Sequence, residues 1–543
     1  MNRMEIMESM YRINRKLIYY RLYMIINNRM ESSFSIEQQC AFQKFKRGEN
    51  LFITGPGGSG KTHLIKHMIR SMNYDGIRYQ VCAMTGCAAV LLGSGARTLH
   101  SWSGMGLANG SKENIVRKMV HHKKASGEMK KVRVLIVDEI SMMSKKLFEV
   151  LDNAMRIVKK VESPFGGVQI IFTGDFFQLP PVGSPKDVES GQFAFESERW
   201  KSTFRIENHV VLKHIFRQSD TEYKEILNQI RWGELDESSI ATLMKCVKRP
   251  LTDQSIVPTK LFAVRAKTEF VNSRMYDKIE SGEEQMYTIQ KRTDLKTFVD
   301  NGKLIEPMVV SACSVLTEKE KDSIIEYLLE ARQIAPELKL KIGARVMCLH
   351  NIAVEQGICN GAQGVIVDFV TTASENGYKI PVVLFSNGKK MLIEPVWSQS
   401  EDYPCIGVAQ IPLCLAWALT IHKIQGSTLT MAEMDLGDSI FEFGQTYVAL
   451  SRIQNLDGLY LSAFQPRKIK ANPTVKEFYR GIPENSYALG ENPFRQFVYA
   501  DEELGEEKYD VPIADSVVLP CADASPVIVA EVVRDPNIKI IRL

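Results

Sequence analysis

Short apolar runs alternate with longer helical patterns along most of the chain. Four of the runs have the length of buried strands, and they lie at 51–54, 79–84, 132–137 and 168–173. Helical patterns separate them at 35–46, 62–72 and 145–161. Strands that alternate with helices in this way predict a parallel α/β sheet. The same rhythm returns at 205–275 and 413–465, which predicts a second α/β domain.

A different pattern separates the two parts of that second domain. Residues 338–400 contain short β-rich runs that are broken by Asn360-Gly361, Asn376-Gly377 and Asn387-Gly388. Asn-Gly pairs favour two-residue hairpin turns, so the segment predicts a small antiparallel β-barrel. No run of eighteen apolar residues occurs, and we therefore expect no membrane span.

Composition narrows the class of protein only slightly. The 543 residues are 45% hydrophobic and 24% charged, which is typical of a globular protein of two to four domains. The net charge of +4 permits a polyanionic partner. The ten cysteines form no C-x-x-C pair, so we expect no zinc or iron–sulfur site but buried free thiols in a reducing compartment.

The most informative segment is GPGGSGKT at residues 55–62, between the first predicted strand and a helix start. This is the phosphate-binding loop pattern in its required context. Its backbone N–H groups are expected to hold phosphate oxygens, Lys61 to reach the β- and γ-phosphates, and the Thr62 hydroxyl to bind Mg²⁺. The predicted nucleotide-binding residues of the loop are Gly55, Gly57, Gly58, Ser59, Gly60, Lys61 and Thr62.

Polar residues follow two further predicted strands. Asp138 and Glu139 come directly after the run 134–137, where Asp138 would hold Mg²⁺ and Glu139 would orient and deprotonate the attacking water. Gln178 follows the next strand and could sense the γ-phosphate, because strand ends of a parallel sheet meet at one crevice. Arg217 and Arg452 are candidate arginine fingers. For a single arginine, a surface salt bridge is the alternative.

The order of these motifs resembles that of Pif-type (petite integration frequency) helicases of superfamily 1B, which are related to RecD-like enzymes. The resemblance extends from about residue 34 to 480. It implies that Gln38 reads the adenine base and that Gly426 contacts the nucleotide. The segments that carry it are SIEQ at 35–38, GPGGSGKT at 55–62, TGCAA at 85–89, TLHSW at 98–102, DEISMM at 138–143, GDFFQLPPV at 174–182, FRQ at 216–218, LKLKIGARVMCLHN at 338–351, LTIHKIQGSTL at 419–429 and GQTYVALSR at 444–452.

The resemblance implies an α/β fold of two RecA-like P-loop NTPase domains, with a small wedge insertion and a Src-homology-3-like β-barrel insertion. The expected divisions are a basic N-terminal leader at 1–33, the first RecA-like domain at 34–185 with the wedge at about 103–130, the first part of the second domain at 186–337, the barrel at 338–410, the second part at 411–481 and a C-terminal tail at 482–543. For the leader, an organelle-targeting helix is an alternative.

Single-stranded DNA would be held by the motifs that line the channel in similar enzymes. The residues so implied are Thr85, Gly86, Thr98, His100, Trp102, Thr420, His422 and Lys423. Packing in the core is the alternative for Trp102. Residues 117–133 hold seven Lys or Arg against Glu128, and this run is either a solvated face or a phosphate contact at the duplex junction.

The expected function is that of an ATP-dependent 5′→3′ DNA helicase that uses ATP and Mg²⁺, translocates on single-stranded DNA and unwinds duplex DNA in replication, recombination or repair. Its expected partners are single-stranded and forked duplex DNA, with a protein partner for the tail. We expect a monomer inside the cell, in the nucleus, the mitochondrion or a viral replication site. The alternatives are a translocase that strips proteins with little unwinding and a nucleic-acid-binding module with an inactive ATPase.

Overall fold

The computed structural model describes residues 34–483, with gaps at 94, 107, 109, 252–257, 281, 294–298, 301–302, 305–314, 332–333, 351, 354–355, 357, 359–360, 372–377, 401–402, 404 and 427. The predicted leader at 1–33 and nearly all of the predicted tail lie outside the described residues. Among the residues described, no helix combines the length and the apolar character needed to cross a membrane.

The first α/β domain is built on a parallel sheet of six strands in the order β3-β2-β4-β5-β1-β6. The strands are β1 Leu51–Thr54, β2 Tyr79–Ala83, β3 Arg97–Thr98, β4 Val134–Asp138, β5 Gln169–Gly174 and β6 His209–Val211. The four predicted strands are confirmed to within two residues. Helices cover both faces of the sheet, which is why its central strands are continuous apolar runs.

The helices of this domain confirm the predicted alternation. They are α1 Ile36–Lys46, α2 Lys61–Tyr74, α3 Gly86–Leu92, α4 Leu99–Ser103, α5 Lys112–His121, α6 Lys123–Lys131, α7 Lys145–Lys159 and α8 Glu198–Thr203. Local sequence explains where several begin. Ser35 forms a capping box with Gln38 at the start of α1, and Ser144 caps α7.

Helices α5 and α6 occupy the region of the predicted wedge. Their apolar sides, with Met119, Ala125 and Met129, are buried in the core of the first domain together with side chains of α7. Arg97 of β3 holds Glu128 of α6 at 3.0 Å. The pair of helices is therefore anchored on the first domain, and the seven basic residues of the segment 117–133 are exposed.

The second α/β domain has a parallel sheet in the order β20-β7-β21-β22. Its strands are β7 Thr259–Phe262, β20 Ala418–Thr420, β21 Ala432–Leu436 and β22 Leu459–Phe464, and its helices are α9 Thr221–Trp232, α10 Glu237–Lys245, α11 Arg265–Asp277 and α13 Gln445–Leu450. The predicted boundary at 185 is wrong, because β6 pairs with β1 and so extends the first sheet to residue 211.

Antiparallel strands separate β7 from β20. They are β8 Glu284–Thr288, β9 Gln290–Arg292, β10 Val299–Asp300, β11 Lys303–Leu304, β12 Glu337–Lys341, β13 Arg345–Cys348, β14 Gln363–Thr371, β15 Lys379–Phe385, β16 Lys390–Leu392, β17 Val396–Gln399, β18 Gly407–Gln410 and β19 Leu413–Leu415, with helix α12 Glu318–Ala331 among them. A five-stranded sheet, β16-β15-β14-β13-β19, encloses a core of its own.

The insertion begins earlier than the predicted start at 338. Strand β8 pairs with β12, and β9 pairs with β18, so the inserted β-structure already starts at 284. The hairpin turn at Asn387-Gly388 between β15 and β16 is confirmed, with Gly388 at φ +79°. Asn360 and the pair Asn376-Gly377 lie outside the described residues.

The last described helix, α14 Pro473–Arg480, returns to the first domain. Val475, Tyr479 and Ile482 are buried in the same core as Phe52 of β1 and Trp200 of α8. Residues 473–481 therefore belong structurally to the first domain, and assigning the whole of 411–481 to the second domain is wrong. The chain crosses from the first domain to the second near 213–220 and returns near 470–472.

The cysteines differ in one respect from expectation. Cys40, Cys82, Cys246 and Cys348 are buried thiols, and Cys414 is a half-buried thiol. Cys405, by contrast, is disulfide-bonded, so the expectation that all the cysteines are free thiols is wrong.

Candidate ATP site and nucleic-acid face

The phosphate-binding loop lies between β1 and α2, and its glycines are required by close contacts. An added Cβ at Gly58 would lie 2.5 Å from Cβ of Arg217, and one at Gly60 would lie 2.5 Å from Nε2 of Gln38. Both glycines also have φ +83°, in the left-handed region that other residues rarely adopt. The loop is thus pressed between the first helix and residues that lead into the second domain.

Lys61 is held by the loop itself. Its Nζ donates to the carbonyl of Gly55 at 2.7 Å and to that of Pro56 at 3.0 Å. Burial lowers the pKa of Lys61, while the negative charges of Asp175, Asp138 and Glu139 oppose that shift. The ammonium group consequently lies in a low-dielectric site next to carboxylates, where a polyphosphate would find a strong electrostatic partner.

Two carboxylates end strand β4, as predicted. Oδ1 of Asp138 accepts hydrogen bonds from the Thr173 hydroxyl and the Glu139 N–H. Burial, with a smaller contribution from the neighbouring Glu139 charge, raises the pKa of Asp138 to about 6. A divalent cation would relieve both effects. Carboxylate and hydroxyl oxygens are ligands that Mg²⁺ prefers, so the donor set of Asp138 and Thr62 fits the ion. Thr62 is exposed at the start of α2.

Glu139 has an unusual backbone, with φ 57° and ψ 42°. A left-handed glutamate is uncommon and costs about 1–3 kcal/mol, so the surrounding structure must impose it. Its Oε2 accepts a hydrogen bond of 3.0 Å from Nε2 of Gln425. Gln425 is buried and lies next to Gly426, whose added Cβ would be 3.8 Å from Oε1 of Glu139. The segment that contains Gly426 therefore faces the predicted general base.

Gln178 lies in the turn after β5 and is almost fully buried. Its Oε1 is buried without a hydrogen-bond partner among the described residues. A buried, unpaired amide oxygen costs about 1–3 kcal/mol and calls for a polar partner. The nucleophilic water of an ATP hydrolase would satisfy this acceptor.

The two predicted arginine fingers converge on the loop from the other side. Arg217 donates from Nη1 to the carbonyl of Ser451 at 3.0 Å. Arg452 donates from Nη2 to the Ser451 hydroxyl at 2.9 Å, and this Nη2 lies 3.7 Å from an added Cβ at Gly57. Burial and the charge of Arg217 lower the pKa of Arg452 to about 9, which leaves it charged near neutral pH.

The Gln38 side chain is fixed against the phosphate-binding loop by two hydrogen bonds. Its Oε1 accepts from the Ser35 N–H at 3.0 Å, and its Nε2 donates to the Ser59 carbonyl at 3.4 Å. The residue therefore joins the start of α1 to the loop. The role as adenine reader, which the family resemblance implies, stays a prediction.

Several residues of the site were missed by sequence reasoning. The Tyr447 hydroxyl accepts a hydrogen bond of 2.8 Å from the Gly57 N–H. Gln425 and Tyr447 lie in the recognised motifs LTIHKIQGSTL and GQTYVALSR, which also contain Gly426 and Arg452. Membership of these motifs was the signal that could have marked both residues as part of the site. Asp175, which lies in the recognised motif at 174–182, forms a buried group behind the loop with Arg231 and Tyr479, and no local pattern in the sequence points to Arg231 or Tyr479.

The predicted DNA-contacting threonines all cap short turns. Thr85 accepts from the Ala88 N–H at 3.2 Å, Thr98 from the Ser101 N–H at 3.3 Å, and Thr420 from the Lys423 N–H at 3.3 Å. Each of the three threonines is half-buried. Their hydroxyls shape the turns on which Gly86, His422 and Lys423 also lie. Gly86 and His422 are exposed, and Lys423 is half-buried.

The two aromatic candidates in the fourth helix differ. His100 is half-buried, and burial lowers its pKa, so its ring is neutral at physiological pH and could stack without carrying charge. Trp102 is only 1% exposed and packs in the core of the first domain. The prediction that Trp102 contacts DNA is wrong, because no face of its indole is accessible to a base.

The site defines a P-loop nucleotide hydrolase whose two arginines come from the segment that crosses to the second domain and from the residues just after α13. Comparison with known proteins narrows this class. A family model described as PIF1-like helicase matches residues 33–239, and one described as DNA helicase Pif1, 2B domain, matches residues 330–369. The ATP-dependent DNA helicase RRM3 of Saccharomyces cerevisiae is 31% identical over 515 residues, which cover 84% of this chain and 69% of that protein.

Solved structures of Pif1 helicases are also similar to this chain. The crystal structure of Pif1 helicase from Candida albicans has a TM-score of 0.66 and 33% identity, covering 82% of this chain and 98% of that one. Pif1 helicase from Bacteroides in complex with ADP-AlF3 and ssDNA has a TM-score of 0.55 and 27% identity, covering 82% and 96%. The chain belongs to the PIF1-like helicase family. It spans 56% to 69% of the length of the fungal relatives that it matches.

Proposed function

We propose that this chain is an ATP-dependent DNA helicase that moves 5′→3′ on single-stranded DNA and unwinds duplex DNA ahead of it. The observation that carries the proposal is the convergence of Lys61, Glu139 and Gln178 from the first domain with Arg217 from the crossing segment and Arg452 from the second domain. A site built by both domains couples the state of the nucleotide to the distance between them.

Each residue has a chemical task in the proposed reaction. Lys61 neutralises charge on the β- and γ-phosphates, and Glu139 accepts a proton from the water that Gln178 orients. Arg217 and Arg452 stabilise the charge that develops on the transferred phosphoryl group. Thr62 and Asp138 would hold Mg²⁺, which would supply positive charge next to the phosphates. Loss of the γ-phosphate then weakens the contacts between the domains and lets the cleft open.

Single-stranded DNA is the proposed track, and the protein is proposed to bind it as a monomer. The DNA would lie along the turns that carry Thr98, His100, His422 and Lys423. The relative from Bacteroides was solved with single-stranded DNA and a phosphate-analogue complex of ADP, which supports both ligands for this chain. The 5′→3′ direction is supported by the family alone. Roles in replication, recombination or repair are likewise proposed on that ground.

The exposed basic run on α5 and α6 is proposed to contact phosphates of the duplex at the junction. The described ion pairs include Glu128, the acid of this run, but none of its seven exposed cations. The two helices are tied to the turn of His100 through the ion pair of Glu128 with Arg97. Charge reversal at Lys123 and Lys124 should lower unwinding and its salt sensitivity, while ATPase activity on single strands stays near wild type.

Direction is tested with three substrates of equal duplex length that carry a 5′ tail, a 3′ tail or no tail. Strand separation should require the 5′ tail, ATP and Mg²⁺. Lys61→Ala should be inactive on each substrate while keeping the circular-dichroism spectrum of the wild type. Opening of the 3′-tailed substrate alone would refute the proposed direction, and ATP-driven removal of a bound protein without strand separation would favour a stripping translocase.

A further inference from the structure

One tyrosine hydroxyl behind the ATP site joins two loops that face the phosphates. Tyr479 lies on α14, the helix that returns from the second domain to the first. Its hydroxyl lies 2.5 Å from the hydroxyl of Thr54, 3.1 Å from the Phe176 N–H and 3.3 Å from Oδ1 of Asp175. A phenol can donate one hydrogen bond and accept others, so this oxygen serves all three partners.

The partners of this hydroxyl are adjacent to catalytic groups. Thr54 ends β1 and directly precedes Gly55 of the phosphate-binding loop. Asp175 and Phe176 form the turn that carries Gln178, whose N–H donates to the Asp175 carbonyl at 2.9 Å. A single oxygen therefore fixes the distance between the start of the loop and the turn of the proposed water-orienting residue.

Asp175 also receives a bidentate contact from the second domain. Arg231 of α9 donates from Nε and Nη2 at 2.9 and 2.8 Å, and both side chains are buried. The guanidinium lies 4.5 Å from the centre of the Phe177 ring, which stacks on Tyr479 at 4.8 Å. Removal of one partner from such a buried pair is costly, so the arrangement favours one geometry of the turn.

We propose that Tyr479 is a positioning residue for ATP hydrolysis, acting through the Asp175–Phe176 turn on Gln178. This inference rests on the proposed ATPase activity. It makes the last helix of the motor a part of the hydrolytic site, although the helix lies outside every motif recognised in the sequence. The carboxylate of Asp175 and the guanidinium of Arg231 act in the same unit.

The substitution Tyr479→Phe isolates the hydroxyl, because the ring keeps its stacking on Phe177. Without the hydroxyl, the Phe176 N–H loses an acceptor and the turn is held less firmly. Gln178 should then be misplaced mainly in the transition state. We expect kcat for ATP, at saturating single-stranded DNA, to fall about tenfold while KM for ATP stays within about twofold.

Tyr287→Phe is the matched control. Tyr287 is similarly buried, and its hydroxyl donates to the Lys379 carbonyl at 3.0 Å, within the inserted β-structure. Both variants lose one buried tyrosine hydroxyl, so both should shift the thermal midpoint by similar small amounts. Only Tyr479→Phe should lower kcat.

Gln178→Ala provides the readout that separates positioning from general destabilisation. If Tyr479 acts through Gln178, then adding Tyr479→Phe to Gln178→Ala should lower kcat by less than about twofold further. A full further tenfold loss, or an unchanged kcat in Tyr479→Phe alone, would overturn the inference. A wild-type protein without DNA-stimulated ATPase activity would instead refute the proposed function on which it rests.

Discussion

The proposed ATP site and the proposed nucleic-acid face of this protein are built in contrasting ways. Around the phosphate-binding loop, Gln178 and Arg452 are buried, and the half-buried Glu139 has its carboxylate hydrogen-bonded to Gln425. On the other face, His100 is half-buried and His422 is exposed, and threonine hydroxyls only shape the turns on which they lie. The comparison teaches that hydrolysis depends on distances set inside the protein, whereas DNA binding depends on what is left exposed.

The largest expected effect concerns Arg217 and Arg452, which reach the loop from the crossing segment and from the end of α13. Arg452→Ala should lower kcat by about 10³-fold, because the guanidinium acts chiefly on the transition-state charge. ATP affinity, measured with a fluorescent analogue, should change far less. Combining this change with Arg217→Ala should give less than the product of the two losses. Equal losses in affinity and turnover would mark them as ground-state contacts.

Glu139→Gln also changes the ATP site, and we expect a somewhat smaller loss of turnover than for Arg452→Ala. The amide keeps the shape of the side chain but cannot accept the proton from water, so turnover should fall about 10²-fold. ATP should still bind and close the cleft, which predicts tight ATP-dependent DNA binding. Glu433→Gln, in the second sheet, is the matched control. Failure to bind ATP would contradict the role of Glu139.

The nucleic-acid face is tested by pairing an accessible ring with an enclosed one. His100→Ala should weaken binding of single-stranded DNA about tenfold, because base stacking contributes about 1–3 kcal/mol. Trp102→Phe should lower the thermal midpoint instead and leave the affinity of the folded protein nearly unchanged. Fluorescence anisotropy would measure DNA affinity, and thermal denaturation would measure stability, for both variants. Loss of affinity in Trp102→Phe, or unchanged affinity in His100→Ala, would contradict the assignment of DNA binding to the accessible ring.

The smallest predicted effect is on the metal requirement. Since burial raises the pKa of Asp138 to about 6, the carboxylate is charged above that pH and gains a proton below it. Protons therefore compete with Mg²⁺ as pH falls, and the Mg²⁺ concentration for half-maximal ATPase activity should be about fourfold higher at pH 5.5 than at pH 7.5. An identical requirement at both pH values would contradict this role of Asp138.

Local patterns were sufficient for part of this architecture. The phosphate-binding loop and the carboxylates after β4 were predictable, because strand, turn and chemistry lie within ten residues of one another. The group of Asp175, Arg231 and Tyr479 was not, since its contacts join residues 56 and 304 positions apart. Strand β6 is only three residues long, so its pairing with β1 left no periodic signal, and the predicted domain boundary was misplaced.

Trp102 shows a different limit. An aromatic residue in a DNA-contacting motif suits base stacking, but α4 has only five residues, too few for a periodicity that would assign its buried side. Trp102 is buried because it packs in the core of the first domain, and most of the residues of that core are far away in the sequence.

The path of the chain has a mechanical consequence. Because α14 returns to the first domain, the second domain is joined to its neighbour by two covalent connections, near 213–220 and 470–472. The second connection runs beside the end of α9, where an added Cβ at Gly233 would lie 2.6 Å from the backbone nitrogen of Ala471. Two connections oppose free twisting and favour rotation about one axis, so each nucleotide cycle should repeat one reproducible stroke.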